Sequence, residues 1–98
     1  MPRIISYSLN VEDELILQQL EIHLQYLSQD KKAAIAITAL YEATEPNAVD
    51  FDHVCDRCSK FNKAIALLQD LSRSGLLAVA RAIAEELAVM EQLQGVSR

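Results

Sequence analysis

Apolar side chains recur at steps of three and four along most of the chain, and only two glycines and two prolines interrupt them. That spacing keeps the apolar residues on one side of a 3.6-residue helix, and it leaves little room for any other regular structure. The pattern is clearest from residue 50 onward. Val54, Cys58, Phe61, Ile65, Leu68 and Leu71 form one row, and Leu76, Ala80, Ile83, Leu87 and Met90 form a second. Asp50 and Asp52 stand ahead of the first row, where a carboxylate suits the positive end of a helix. Ser72-Arg73-Ser74-Gly75 reads as the break between the rows. There Gly75 ends one helix in a left-handed conformation, or Ser74 caps the next. So short a turn predicts antiparallel neighbours.

The first half repeats the plan. Asn10 is placed to cap a helix whose first turn holds Glu12, Asp13 and Glu14, and Leu17, Leu20, Leu24 and Leu27 form its seam. Ser28 to Lys31 predicts a short break. It holds neither glycine nor proline, so a single helix over 11–44 is the alternative. Pro46-Asn47 ends the next helix, because proline pushes its predecessor away from helical geometry. Upstream, Ile5, Tyr7 and Leu9 alternate with serines, a strand-like pattern without a partner strand, which predicts an extended arm.

These readings give an all-α fold, a four-helix bundle-like arrangement of two antiparallel helical hairpins with an extended N-terminal arm. At 98 residues it is expected to be a single domain, with the arm over 1–10 and hairpins over 11–45 and 50–94. A chain of this length buries roughly 60 to 70% of its unfolded surface, enough for a core without disulfide or metal staples. The halves align at an offset of 44, which matches Leu17 with Phe61, Leu24 with Leu68, Leu27 with Leu71 and Ser28 with Ser72. It also matches Ala34-Ile35-Ala36 with Ala78-Val79-Ala80. Helical repeats have periods in this range, although any two amphipathic hairpins of equal length align at some offset.

Net charge is −5, and residues 1–49 carry seven acidic against three basic side chains. Such a balance repels phosphate backbones at long range. Arg57, Lys60 and Lys63 form the one local basic cluster, and a helix-turn-helix type nucleic-acid binder stays an alternative through them alone. No secretory leader opens the sequence, and no run of about 20 apolar residues would span a membrane. Two cysteines in a chain with no export signal predict reduced thiols in the cytoplasm.

His53-Val54-Cys55-Asp56-Arg57-Cys58 is the most suggestive short motif. A Cys-x-x-Cys pair near a helix start supports thiol exchange or metal binding. A tetrahedral metal site needs four ligands, and only His23 and His53 accompany Cys55 and Cys58. On a regular helix His53 also points nearly opposite Cys55. The simpler reading places Cys58 in the seam, with Cys55 at its edge and His23 at the boundary of the first seam. No phosphate loop, nucleophile elbow or calcium loop is present.

The alanine-rich helices, around Ala36 and Ala80, carry apolar residues on more than one side. That predicts a contact surface made of Ala36, Ile37, Leu40, Leu77, Ala80 and Ile83. The functional expectation is a small cytoplasmic adaptor or regulatory protein acting through protein–protein contacts. It would be a homodimer without cofactor, membrane association or catalysis. The alternative from another class is a thiol-redox or metal-linked sensor built on Cys55 and Cys58.

Overall fold

The structure is a computed structural model that describes residues 11–47, 49–51 and 57–95, apart from the side chains of residues 92–95. The expected arm, Asn10 as a cap, His53 and Cys55 lie outside the described residues. After a 3-10 turn at Val11–Asp13 come four helices: α1 (Glu14–Leu24), α2 (Gln29–Thr44), α3 (Ser59–Leu68) and α4 (Arg73–Gly95). No strand occurs among the described residues.

The chain turns twice in the same way. α1 ends as the Leu27 N–H donates to the Leu24 carbonyl at 3.1 Å, and α3 ends as the Leu71 N–H donates to that of Leu68 at 3.2 Å. Leu27 and Leu71 then drop into the core. A serine follows each leucine and caps the next helix. The Lys31 N–H donates to Ser28 Oγ at 3.3 Å and the Gly75 N–H to Ser72 Oγ at 3.2 Å. Ser28 has extended backbone, φ −66° and ψ 165°, as a capping residue requires. Residues 11–44 are thus two helices, parted at Gln25–Ser28, three residues before the expected break.

Helix packing crosses between the halves. α2 lies most closely against α4, α1 against α3, and α2 also meets α3. Among the described residues the consecutive helices of either half do not pack along their lengths. Both close pairs are antiparallel. Gln29 reaches Met90 and Lys32 reaches Glu86, while Tyr26 meets Lys60 and Asp13 meets Ser72. A four-residue connection ending in a capping serine swings each chain away from the helix just completed. The free apolar side of that helix is then covered by the other half.

One core results. Leu17, Leu20 and Leu24 from α1 meet Phe61, Ile65 and Leu68 from α3, and Ile35 and Ala39 meet Val79, Ala82 and Ile83. The large apolar pairs that the 44-residue offset matches take equivalent places. Leu17 and Phe61, Leu24 and Leu68, and Ile35 and Val79 are all buried.

Three local expectations change. Cys58 has extended backbone, φ −85° and ψ 110°, and precedes α3 as its N-cap, so it is not a mid-helix seam residue. Ser74 and Gly75 lie inside the first turn of α4, and Gly75 has no positive φ. The left-handed residue is Asn47 instead, φ 69°, just past α2. There the Glu42 carboxylate accepts from the Asn47 and Val49 N–H groups at 2.9 and 3.2 Å. The buried side of α4 also rotates toward Val79 and Ala82, leaving Ala80, Leu87 and Met90 half-buried.

Leu68 is 1% exposed and Leu87 half-buried, which separates two positions that periodicity alone treats alike. Leu68→Ala is expected to cost about 2 to 5 kcal/mol by leaving a cavity, and Leu87→Ala clearly less. Chemical denaturation of both variants checks the order, and equal losses would contradict this packing.

Candidate functional site

Small side chains set the spacing of α2 and α4. Ala39, Ala43, Ala78 and Ala82 are all buried, so the innermost alanines are consumed inside the chain. Thr38 shares this side and satisfies its hydroxyl by donating to the Ala34 carbonyl at 2.8 Å. The opposite side of α2 carries Ile37, Leu40 and Tyr41, respectively 68%, 50% and 53% exposed. Their spacing of three and four places them on one outer face.

The antiparallel register fixed by Gln29–Met90 and Lys32–Glu86 brings Leu77 to the height of Tyr41 on the neighbouring helix. Leu77 is 40% exposed, and Ala36 and Ala80 are half-buried. Five of the six expected contact residues thus retain accessible surface. Ile83 is the correction. It is completely buried among core side chains, because α4 turns its Val79–Ile83 side inward.

The 3-10 turn, α1 and the turn after it carry a second exposed apolar row that the sequence reading did not single out. Val11, Leu15, Ile22 and Tyr26 are exposed at steps of four, seven and four. The step of seven, two helical turns, was the available signal, hidden beside the stronger leucine seam.

The most constrained polar group is Asp13, which is 3% exposed. Its carboxylate turns away from α1 and accepts from the Ser72 N–H at 3.1 Å and from the Ser72 hydroxyl. A buried carboxylate is costly unless its oxygens are hydrogen-bonded, and the start of α4 supplies both donors and a favourable helix dipole. Gly75 leaves the space for it. A Cβ at this position would stand 2.7 Å from Asp13 Oδ2 and 2.9 Å from its Cγ. A glycine in the first turn of a helix, where no turn needs it, was the sequence signal for this close approach.

The basic cluster is partly engaged with aromatic rings. The Lys60 ammonium lies 4.6 Å from the centre of the Tyr26 ring, and that of Lys31 lies 5.0 Å from Phe61. Arg57, Lys60 and Lys63 are exposed. Cys58 is half-buried, and His23 sits half-buried on α1. Among the described residues no three His, Cys, Asp or Glu side chains are grouped to hold a metal ion, and no helix is long and apolar enough to cross a membrane. Comparisons with protein-family models, with curated proteins and with solved structures give no match.

Asp13 and Gly75 should behave as one unit. Asp13→Ala leaves the Ser72 N–H without its acceptor, at about 1 to 3 kcal/mol. Gly75→Ala forces a methyl against the carboxylate, at about 1 to 3 kcal/mol. Once Asp13 is alanine, the Gly75 methyl has only the Leu71 side chain close by, at 3.0 Å, and gains helix propensity. The double variant should therefore be more stable than the sum of the single losses implies. Additive denaturant midpoints would argue against the close approach.

Proposed function

We propose that this protein is a small helical adaptor or regulatory module of the cytoplasm, one that works through protein–protein contacts and forms a homodimer. The observation that carries the reading is the outer row of Ile37, Leu40 and Tyr41 on α2, with exposed Leu77 at the same height on α4. Fully burying one such aliphatic side chain is worth about 1.5 to 3 kcal/mol, so a second copy laid across the row would gain several kcal/mol. Contiguous apolar surface of this kind marks contact sites in soluble proteins.

Half-exposed Ala36 and Ala80 favour a helical occupant, because small side chains let another helix approach closely. A two-fold arrangement suits the row, since each α2 would then meet its own copy across the axis. The separate row on α1 leaves a further surface for another partner, which is what an adaptor needs. The reading places the four helices as a compact bundle with the contact rows on its outside. It requires no catalytic group and no cofactor.

Sedimentation at low micromolar concentration tests the dimer. The natural chain should sediment as a dimer. Ile37→Glu and Leu40→Glu should each give a monomer with an unchanged unfolding midpoint at matched low concentration, since both residues lie outside the core. A natural chain that stays monomeric, or glutamate variants that lose their helices, would refute this use of the α2 face.

A further inference from the structure

The close helix contacts of this chain run between its two halves. α2 packs on α4, α1 on α3, and α2 meets α3, while among the described residues neither α1 with α2 nor α3 with α4 packs along its length. The core is built the same way. Leu17, Leu20 and Leu24 are covered by Phe61, Ile65 and Leu68, and Ile35 and Ala39 by Val79, Ala82 and Ile83. Neither half therefore holds a core of its own, and the connection over 45–58 joins them.

The halves also meet as two copies of one unit would. α1 lies antiparallel to its counterpart α3, and α2 to its counterpart α4. The placement is reciprocal, as a two-fold axis requires. Gln29 and Lys32 of the first half reach Met90 and Glu86 of the second. At the 44-residue equivalents, Arg73 and Leu76 line one cavity with Pro46 and Glu42. A surface that fits the other half of its own chain fits the same half of another chain equally well.

We propose that the halves exchange between copies, so that the first half of one chain completes its core with the second half of another. The partner is a second copy of this chain, and the exchanged pair repeats the contacts of the single chain, which makes exchange a low-cost route to a dimer. The connection separates the two forms. α2 and α3 run side by side in the same direction, since Lys31 lies over Phe61 at one end and Ala43 lines the same cavity as Leu68 at the other. The connection must therefore return along α3 (Ser59–Leu68), about 15 Å at 1.5 Å per residue. A link that makes this return holds the halves of one chain at high effective concentration and favours the closed form, whereas folding at high protein concentration favours exchange. Passage between the forms separates the whole core, so the choice is made as the chain folds. Exchange uses the inner faces of the helices and does not depend on the outer α2 row.

The shielded Lys32–Glu86 pair provides the test, because its members sit in different halves. Lys32→Glu and Glu86→Lys each set like charges together in the closed chain and should lower its unfolding midpoint. Refolded together in equal amounts, the two variants restore both opposite-charge pairs only by exchanging halves. A dimer holding one chain of each kind, with the midpoint of the natural chain, is expected. A dimer through the outer row leaves the like charges in place and gives no such recovery. A mixture without the mixed dimer, unfolding as the two variants do separately, overturns the exchange. A second variant removes residues 46–57 and leaves Glu45 and Cys58 to bridge the helices, a reach of about 10 Å at ~3.5 Å per residue. Too short for the return, this chain should be helical only as a dimer, and adding Leu40→Glu should leave that dimer intact. A helical monomer, or no helix at any concentration, overturns the proposal.

Discussion

Everything in this fold follows from how closely α2 and α4 approach. Ala39 and Ala43 on one helix, with Ala78 and Ala82 on the other, leave room for Ile35, Val79 and Ile83 to interlock. Larger residues at those four positions would push the helices apart and open the core beneath them. The close contact also fixes register, because Lys32 meets Glu86 with both side chains largely shielded from water. An ion pair in such a place adds modest net stability, while removing either partner would leave a shielded charge alone. Its main effect is on alignment. With α2 and α4 held in register, the position of every outward-facing residue is determined.

The two halves use one plan but finish it differently. Each has a helix, a buried leucine at the corner, a serine cap and a second helix. In the second half Asp13 reaches across to Ser72 and demands glycine at position 75. The equivalent positions in the first half are Arg57, Ser28 and Lys31. Arginine cannot accept a hydrogen bond, so Ser28 caps its helix without help from a carboxylate. Lys31 is then free of the glycine requirement and lies over the Phe61 ring instead. A single acidic residue thereby ties the 3-10 turn before α1 to the start of α4.

Periodicity made much of this legible. Leu17, Leu20, Leu24, Phe61, Ile65 and Leu68 were read as core from spacing alone, and they are core because three- and four-residue steps leave a helix one side to bury. The serine cap at position 28 and the glycine at position 75 were read less well. Both sit where local preference admits two answers, and a long-range partner decides between them. Nothing near Asp13 in sequence announces that its carboxylate belongs to α4. The pairing of helices across halves was similarly hidden. A short connection suggests that neighbours pack, but the direction of the capped turn governs whether they do. Ile83 shows the same limit, since its apolar character fitted both an interface and a core. Only the rotation of α4 chose. The exposure of Ile37, Leu40 and Leu77 was readable because an apolar residue out of phase with a seam has no intrachain helix to face.

Departures from the repeat are where a binding role has room to arise. A symmetric pair of halves would bury equivalent residues equivalently, and each departure needs its own local compensation. Asp13 is compensated within the chain by Ser72 and Gly75. Where Leu87 and Met90 are matched by the smaller Ala43 and Pro46, a cavity lies between the end of α2 and the α3–α4 turn, bordered by Glu42 and Arg73. The outer row is similarly one-sided. Ile37, Leu40 and Tyr41 on α2 correspond to Arg81, Ala84 and Glu85 on α4, where Arg81 and Glu85 form an exposed ion pair at 3.7 Å. The same position in the fold is therefore wet on one helix and apolar on the other. Both rows point away from the core, so the difference bears on what each helix presents to its surroundings and not on how the two helices pack.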